Sequence, residues 1–391
     1  MEYKYQLITI GHDNQFRDLV VRTFLDKIVD LGLEREVVEV ITDADYFAKH
    51  KNNSPTVALY FGGSNSNHPH LDILENLVHE AAFILPIVED KSVFCSLTPN
   101  QLHEINGSQL ENHLDIDPLV SSILEGFSLL RTSRRIFISY KRSDSTAVAI
   151  QLYEEFEKAG FDVFLDTHSI RPGDTFQDEL WHRLADTDVV VLLNTAGFSG
   201  SRWTTEEFAQ ASGMSITILQ LIWPGNTSLG TSQLTIPYQL TSNDFDNQKY
   251  SDGSCTLFAP TIPNLLSEVE SLRARGLAAR QDNLVTEFMR AAQKLSVPAK
   301  LQPQKYITLE HEGKGKDVII PTIGVPQAFI YNESDEKVKK YIQSQDYSVF
   351  LLFDHKNIKE SWLNHLSWLD KYLPITSFKI VDAETWLTER T

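Results

Sequence analysis

The sequence has little cysteine, glycine and proline. Its 391 residues include two cysteines, Cys95 and Cys255, which lie far apart and form no CxxC pair. This spacing excludes a disulfide scaffold and a cysteine-ligated zinc site, and it fits a reducing compartment. The 18 glycines and 15 prolines are too few for a collagen-like or largely disordered chain.

Positive charge and long apolar runs are also scarce. The chain has 35 Lys and Arg against 53 Asp and Glu, a formal charge of −18, which argues against a nucleic-acid partner. No apolar run approaches the roughly 18 residues that span a bilayer, and the start lacks a basic leader with a long apolar stretch. We therefore expect a cytoplasmic, soluble protein with no membrane partner.

The length and the alternation of strand and helix patterns predict several α/β domains. At about 150 residues per domain, the chain should form two to three. Short apolar strands at 5–10, 37–41, 56–61 and 82–88, with helices at 14–31 and 71–81, predict an N-terminal α/β domain over residues 1–130. Such strands, separated by helices, are typical of a parallel sheet covered on both faces.

A second α/β domain is expected over residues 132–275. Its predicted strands are 136–140, 161–166, 188–193 and 216–222, and a helix around 265–272 closes it. A polar helical connector over 276–300 should lead to a smaller C-terminal α/β domain over 301–391.

In that C-terminal domain we predict strands at 305–309, 318–323, 328–331, 348–354 and 377–382, and a helix at 361–373. This helix has a second aromatic face, formed by His365, Trp368 and Tyr372. We expect that face to be buried, and a ligand or partner surface is the alternative.

The polar residues of the second domain stand where ligands bind in parallel sheets, just after the strands. Lys141 and Arg142 place two cations where the first strand gives way to a helix, which suits a diphosphate. Ser143 follows as a further candidate for substrate binding. The alternative is a solvated turn whose helix is capped by Ser143 or Ser145.

Four ordered motifs then resemble a Toll/interleukin-1 receptor (TIR) domain, particularly its enzymatic bacterial and axon-degeneration branch. They are IFISYKRSD, VFLD with an IRPGD loop, DVVVLL, and SRWTTEEF. The resemblance implies a flavodoxin-like sheet and, for the enzymatic branch, cleavage of NAD at the nicotinamide glycosidic bond. The family glutamate lies four residues after the tryptophan of the S-x-W motif, and here that residue is Glu207.

The chemistry of this position agrees with the resemblance. Trp203 and Glu207 stand at i and i+4 of a predicted helix and share a face, whereas Glu206 is rotated by about 100°. Nicotinamide leaves NAD as a neutral group, so one carboxylate that stabilises the oxocarbenium-like transition state suffices. We therefore assign catalysis to Glu207, and a solvated surface glutamate is the alternative.

The remaining site residues follow from the resemblance. Phe176 and Trp203 correspond to aromatics beside the substrate, although both would also be ordinary core residues. Asp166 ends its strand at the edge of the site and either contacts substrate or orients the loop. The family's association loop corresponds to Arg171, Pro172, Gly173 and Asp174. Thr204 stands where many relatives have cysteine, and it can serve as a helix cap.

The expected function is an NAD⁺ glycohydrolase that releases nicotinamide and linear or cyclic ADP-ribose, activated by self-association in antiphage defence. It needs no metal and no resident cofactor, since NAD⁺ is the substrate. One alternative is a non-enzymatic TIR scaffold, and another is an enzyme resembling nucleoside deoxyribosyltransferases. The flanking domains are expected to sense a small-molecule or protein trigger.

Overall fold

The structure is a computed structural model that describes residues 4–52, 54–64, 68–165, 176–198, 213–229, 235–302, 305–311, 315–341 and 347–390. The chain forms two compact units, Met1–Thr132 and Ser133–Thr391. The described residues form one five-stranded sheet in the first unit and two in the second. The predicted α/β class is confirmed, while the boundaries proposed for three domains and a connector stay predictions.

The first unit is built on a fully parallel sheet with the order β2-β1-β3-β4-β5. All seven residues of its β1 strand are buried, as a sheet covered on both faces requires. Its strands and helices are β1 (Tyr5–Gly11), α1 (Arg17–Asp30), β2 (Val38–Thr42), α2 (Tyr46–Lys49), β3 (Thr56–Phe61), α3 (Leu71–His79), β4 (Phe83–Val88), α4 (Phe94–Leu97), β5 (Ser108–Gln109) and α5 (Ile116–Gly126).

The second unit begins with another fully parallel sheet, which we call the middle sheet, with the order β10-β9-β8-β6-β7. Counted along its own strands, this is the order 2-1-3-4-5 of flavodoxin-like folds, which the family resemblance implies. Its elements are β6 (Arg135–Ser139), α6 (Arg142–Lys158), β7 (Asp162–Leu165), α7 (Phe176–Ala185), β8 (Val189–Asn194), β9 (Thr217–Ile222) and β10 (Thr235–Gln239).

Successive side chains of a strand point to opposite faces of its sheet. The apolar strands of the middle sheet therefore place apolar side chains on both faces. Val189 and Val191 pack on one face with Leu152 of α6. On the other face, Val190 packs with Leu180 and Leu184 of α7. A nearly continuous apolar strand is thus buried from two sides at once.

A third sheet, the C-terminal sheet, has the order β11-β12-β13-β14-β15. Its first three strands are antiparallel, and β13, β14 and β15 are parallel. Its elements, with the helix that leads to it, are α8 (Thr261–Lys294), β11 (Ala299–Leu301), β12 (Ile307–His311), β13 (Gly315–Thr322), α9 (Ala328–Tyr341), β14 (Tyr347–Phe353), α10 (Glu360–Tyr372), β15 (Thr376–Lys379) and α11 (Ala383–Thr388).

Helix α8 combines what the sequence suggested were a closing helix and a polar connector. It runs for 34 residues without a break. Leu265 and Leu272 pack in the core of the middle sheet, whereas Leu284 and Phe288 pack under the C-terminal sheet. One helix is therefore shared by the cores of both sheets.

Two expectations for the C-terminal sheet are wrong. Residues 328–331 lie in helix α9 and form no strand. Such a short apolar run fits a strand and a buried helix equally well. The aromatic face of α10 is not buried either, because Trp368 and Tyr372 are 53% and 70% exposed.

Helix α7 of the middle sheet contacts the C-terminal sheet through several polar groups. Glu179 pairs with Lys359, and the backbone N–H of Val325 donates to Asp186 Oδ1 over 3.1 Å. The rings of His182 and Trp362 stack with their centroids 5.5 Å apart. The α7 face of the middle sheet is thereby joined to the C-terminal sheet.

Candidate active site

The middle sheet has a topological switch point between β6 and β8. The chain continues from β6 to β7 on one side and from β8 to β9 on the other. A crevice forms where connections diverge in this way, at the carboxyl ends of the two strands, and open α/β sheets bind ligands there. The predicted basic residues follow β6 directly, so the fold places them at this crevice.

Asp144 lies at the centre of the polar contacts in the crevice. Its Oδ2 accepts a hydrogen bond from Thr195 Oγ1 over 3.0 Å and lies 3.7 Å from Lys141 Nζ. Ser143 Oγ donates to its other carboxylate oxygen. The loops after β6 and β8 are therefore tied together through one carboxylate.

The surroundings of Asp144 keep it ionised. Desolvation by burial raises its pKa, but hydrogen bonds from Ser143, Thr195 and the Gly197 backbone, with the charge of Lys141, outweigh it. The net result is a pKa below the usual range. A fixed negative charge thus stands beside Lys141 at neutral pH.

Gly197 allows the two loops to approach each other. A Cβ at this position would overlap the Asp144 carboxylate and the Lys141 ammonium group. A glycine is the residue that permits such contact between a backbone and a charged pair. Sequence reasoning missed Asp144, Thr195 and Gly197, although all three belong to loops already expected at the crevice.

The basic residues differ in their surroundings. The Lys141 side chain is 37% exposed and shares its charge with Asp144. Arg142 and Ser143 are exposed on the first turn of α6. The structure therefore brings Lys141, Arg142 and Ser143 to one edge of the crevice.

The other predicted site residues lie outside the described part of the chain. They are Glu207 and Trp203, Asp166, the side chain of Phe176, and the loop residues Arg171, Pro172, Gly173 and Asp174. Phe176 is described only as the first residue of α7. Their roles stay predictions.

Asparagines hold the loop after β9 at the same edge of the sheet. Asn194 Nδ2 donates to the Thr227 carbonyl over 2.9 Å, and Asn226 Nδ2 donates to the Asn194 carbonyl over 3.0 Å. Three strand ends therefore frame the crevice. Among the described residues, no group of three or more His, Cys, Asp and Glu could hold a metal ion.

No helix of the described ranges combines the length and apolar character needed to cross a bilayer. No curated protein matches the chain.

Two solved structures overlap much of the chain at low similarity. One is described as a phosphosugar isomerase from Silicibacter pomeroyi DSS-3, with 12% identity over 72% of this chain and 86% of that chain, and a TM-score of 0.22. The other is the C-terminal domain of glucosamine-fructose-6-phosphate aminotransferase from Francisella tularensis, with 7% identity over 71% of this chain and 85% of that chain, and a TM-score of 0.22. Likenesses this weak establish no shared fold.

A family model identifies the middle of the chain. Residues 136–251 match the TIR domain family. This range contains the sheet with the flavodoxin-like strand order and the crevice between β6 and β8. The protein therefore contains a TIR domain in the centre of its chain.

Proposed function

We propose that the protein is an NAD⁺ glycohydrolase whose TIR domain cleaves the bond between nicotinamide and ribose. The match to the TIR family carries this proposal, because the matched range 136–251 includes both Trp203 and Glu207. Glu207 stabilises the positive charge that develops on the ribose as nicotinamide departs. The products are nicotinamide and linear or cyclic ADP-ribose.

The charges at the crevice support a dinucleotide substrate. An overall charge of −18 repels an anionic ligand, so binding needs local cations. Lys141 and Arg142 supply them at the carboxyl end of β6. Asp144 neutralises part of the Lys141 charge, so we propose that Lys141 and Arg142 bind the diphosphate together.

Self-association through the 171–174 loop completes the proposal. It raises the activity of the TIR domain and suits an inducible role in antiphage defence. The proposal requires that NAD cleavage per chain increases when the chains are clustered.

Two neighbouring glutamates provide a matched test of catalysis. Glu207→Gln removes the charge that we assign to catalysis, whereas Glu206→Gln makes the same change one residue away, on another face of the predicted helix. We expect nicotinamide release to be lost in the first variant and kept in the second. Full activity of Glu207→Gln would contradict the mechanism.

Assays on the same purified protein distinguish the proposed activity from its two alternatives. A non-enzymatic scaffold consumes no NAD under any clustering condition, yet self-associates through a contact that Pro172→Ala weakens. A deoxyribosyltransferase-like enzyme cleaves nucleosides in preference to NAD. We expect neither result.

A further inference from the structure

A cavity of about 530 Å³ lies between the TIR domain and the C-terminal sheet. Its wall comes from the second unit: the end of α7, the segment 213–215 before β9, the C-terminal half of α8, the carboxyl end of β13, and the loops after β13 and β14. Cavities of this volume hold small metabolites. It lies at the C-terminal sheet and is separate from the crevice between β6 and β8.

The cavity lies at the carboxyl ends of two parallel strands of the C-terminal sheet, where ligands bind in α/β folds. β13 and β14 are parallel neighbours, and Gly324 and Asp354 stand just beyond their carboxyl ends. Gly324 has a φ of +81°, which lets the backbone turn away from β13 beside the cavity. Loops at the carboxyl ends of parallel strands commonly hold phosphate and sugar groups.

The lining carries more positive than negative charge, in contrast to the acidic chain as a whole. Arg280, Arg290 and Lys356 line the cavity with Glu287 and Asp354. Three cations against two carboxylates make an anion the favoured ligand.

The cations have distinct roles. Arg280 donates to the carbonyls of Ala185 and Thr187 over 2.6 and 2.8 Å, which fixes it in the wall. Arg290 is exposed and makes no ion pair with any described residue. Lys356 Nζ lies 4.0 Å from Asp354 Oδ2, a long ion pair without a hydrogen bond. Arg290 and Lys356 are therefore available to a phosphate.

We propose that this cavity binds a phosphorylated ribose ligand of mononucleotide size. Arg290 and Lys356 bind the phosphate, and Asp354 accepts hydrogen bonds from the ribose hydroxyls. A carboxylate beyond a parallel strand is well suited to a ribose diol, and arginine and lysine are suited to a phosphate.

A ligand in the cavity would contact both the segment before β9 of the TIR domain and the C-terminal sheet. Around the cavity, Asn283 Nδ2 donates to Ser215 Oγ over 2.9 Å, and Asn357 Nδ2 lies 2.8 Å from Met214 Sδ. These contacts join the segment before β9 to α8 and to the loop after β14. Binding is independent of the proposed NAD cleavage, so each proposal can fail without the other.

Calorimetric titration of the full chain with AMP, ribose 5-phosphate and inorganic phosphate tests the site. We expect AMP and ribose 5-phosphate to bind, and Arg290→Ala or Lys356→Ala to weaken both by about tenfold. Asp354→Asn should weaken both sugar phosphates without weakening the binding of inorganic phosphate, because it removes a negative charge beside Lys356. Lys371→Ala, an exposed lysine outside the cavity, is the control and should bind as the wild type does.

The outcomes that would overturn the site are equally specific. They are the absence of binding by all three ligands, equal affinity for AMP and inorganic phosphate, and AMP binding that Arg142→Ala removes and Arg290→Ala does not. The last would place the ligand in the TIR crevice. Glu207→Gln should bind AMP as the wild type does, whatever its effect on NAD. Matching thermal unfolding of the variants shows that they are folded.

Discussion

Asp188 and Arg273 form a fully buried ion pair between the middle sheet and helix α8. Arg273 Nε donates to Asp188 Oδ2 over 2.9 Å, and the side chains of both residues are 0% exposed. The same carboxylate oxygen accepts from the backbone N–H of Arg135 over 3.2 Å. The pair links α8 to the start of β6 and of β8.

Removing one partner of this pair should be costly. Asp188→Ala removes a buried carboxylate that pairs with the Arg273 guanidinium, and we expect it to lower the free energy of unfolding by about 3–5 kcal/mol. Urea denaturation measures the loss. Lys158→Ala, which breaks an exposed pair with Glu155, is the control and should change stability by less than about 1 kcal/mol. Similar stabilities of the two variants would contradict the role of the buried pair.

His182 contributes a pH-dependent term to the contact between α7 and the C-terminal sheet. It is 7% exposed, and the backbone N–H of Lys359 donates to its Nδ1 over 3.4 Å. Desolvation lowers its pKa, and the positive charges of Arg183 and Lys359 act in the same direction, against the opposing effect of Glu179 and Asp186. The folded chain therefore holds this imidazole neutral.

This neutrality predicts a loss of stability in acid. As the pH falls below about 6.5, the unfolded chain binds a proton at this histidine before the folded chain does, because the folded pKa is lower. His182→Gln should therefore lose less stability than the wild type between about pH 7 and pH 5. Thermal unfolding at each pH, with His79→Gln as an exposed control, measures the difference. Identical pH profiles for the wild type and His182→Gln would refute the prediction.

At the scale of elements, helix α8 packs tightly against β9 at Gly276. A Cβ there would overlap Thr217 Oγ1 and lie 3.3 Å from Thr217 Cβ. Thr217 is β-branched and buried, so it has little room to move. A glycine in the interior of a long helix is thus explained by its packing against a strand.

Gly276→Ala should therefore destabilise the protein although alanine is the better helix former. We expect a loss of about 1–3 kcal/mol from overpacking, measured by urea denaturation. In a Thr217→Ala background, the obstructing hydroxyl is gone, and the gain in helix propensity of about 1 kcal/mol should offset most of the loss. Equal effects of Gly276→Ala in the two backgrounds would show that the contact with Thr217 is not the cause.

The sequence predicts the buried strands of the two parallel sheets well, because their apolar runs are compact and separated by clear helices. β10 was not predicted from the sequence. Its residues, TIPYQ, are partly exposed and include Pro237, which suits the edge strand that β10 forms but weakens the strand pattern. The sequence also did not predict that α8 is continuous. Glycine disfavours a helix interior, and Thr217, which explains Gly276 by packing against it, is 59 residues away in sequence.

Part of the candidate site was likewise predicted from the sequence, and part became evident only in the fold. Lys141, Arg142 and Ser143 were predicted from their place after a strand, and the fold puts them at the switch point. Asp144 is one of 53 acidic residues, and nothing local marks it. Its importance comes from contacts with Thr195 and Gly197, which the sequence places more than 50 residues away. Tertiary contacts of this kind do not follow from a single sequence.

At the scale of the whole molecule, a TIR domain shares helix α8 with a C-terminal sheet, within one compact unit. Because α8 packs in both cores and lines the cavity between them, a ligand there would contact the same helix that supports the TIR sheet.

Release of nicotinamide by the full chain tests most directly the proposal that this TIR domain cleaves NAD. NAD is incubated with the wild type and with Glu207→Gln over a series of protein concentrations, and the products are followed by mass spectrometry. We predict that the wild type releases nicotinamide with stoichiometric ADP-ribose, increasingly per chain as the chains associate, and that Glu207→Gln releases none. Intact NAD at every concentration of the wild type, or equal release by both proteins, would contradict the account.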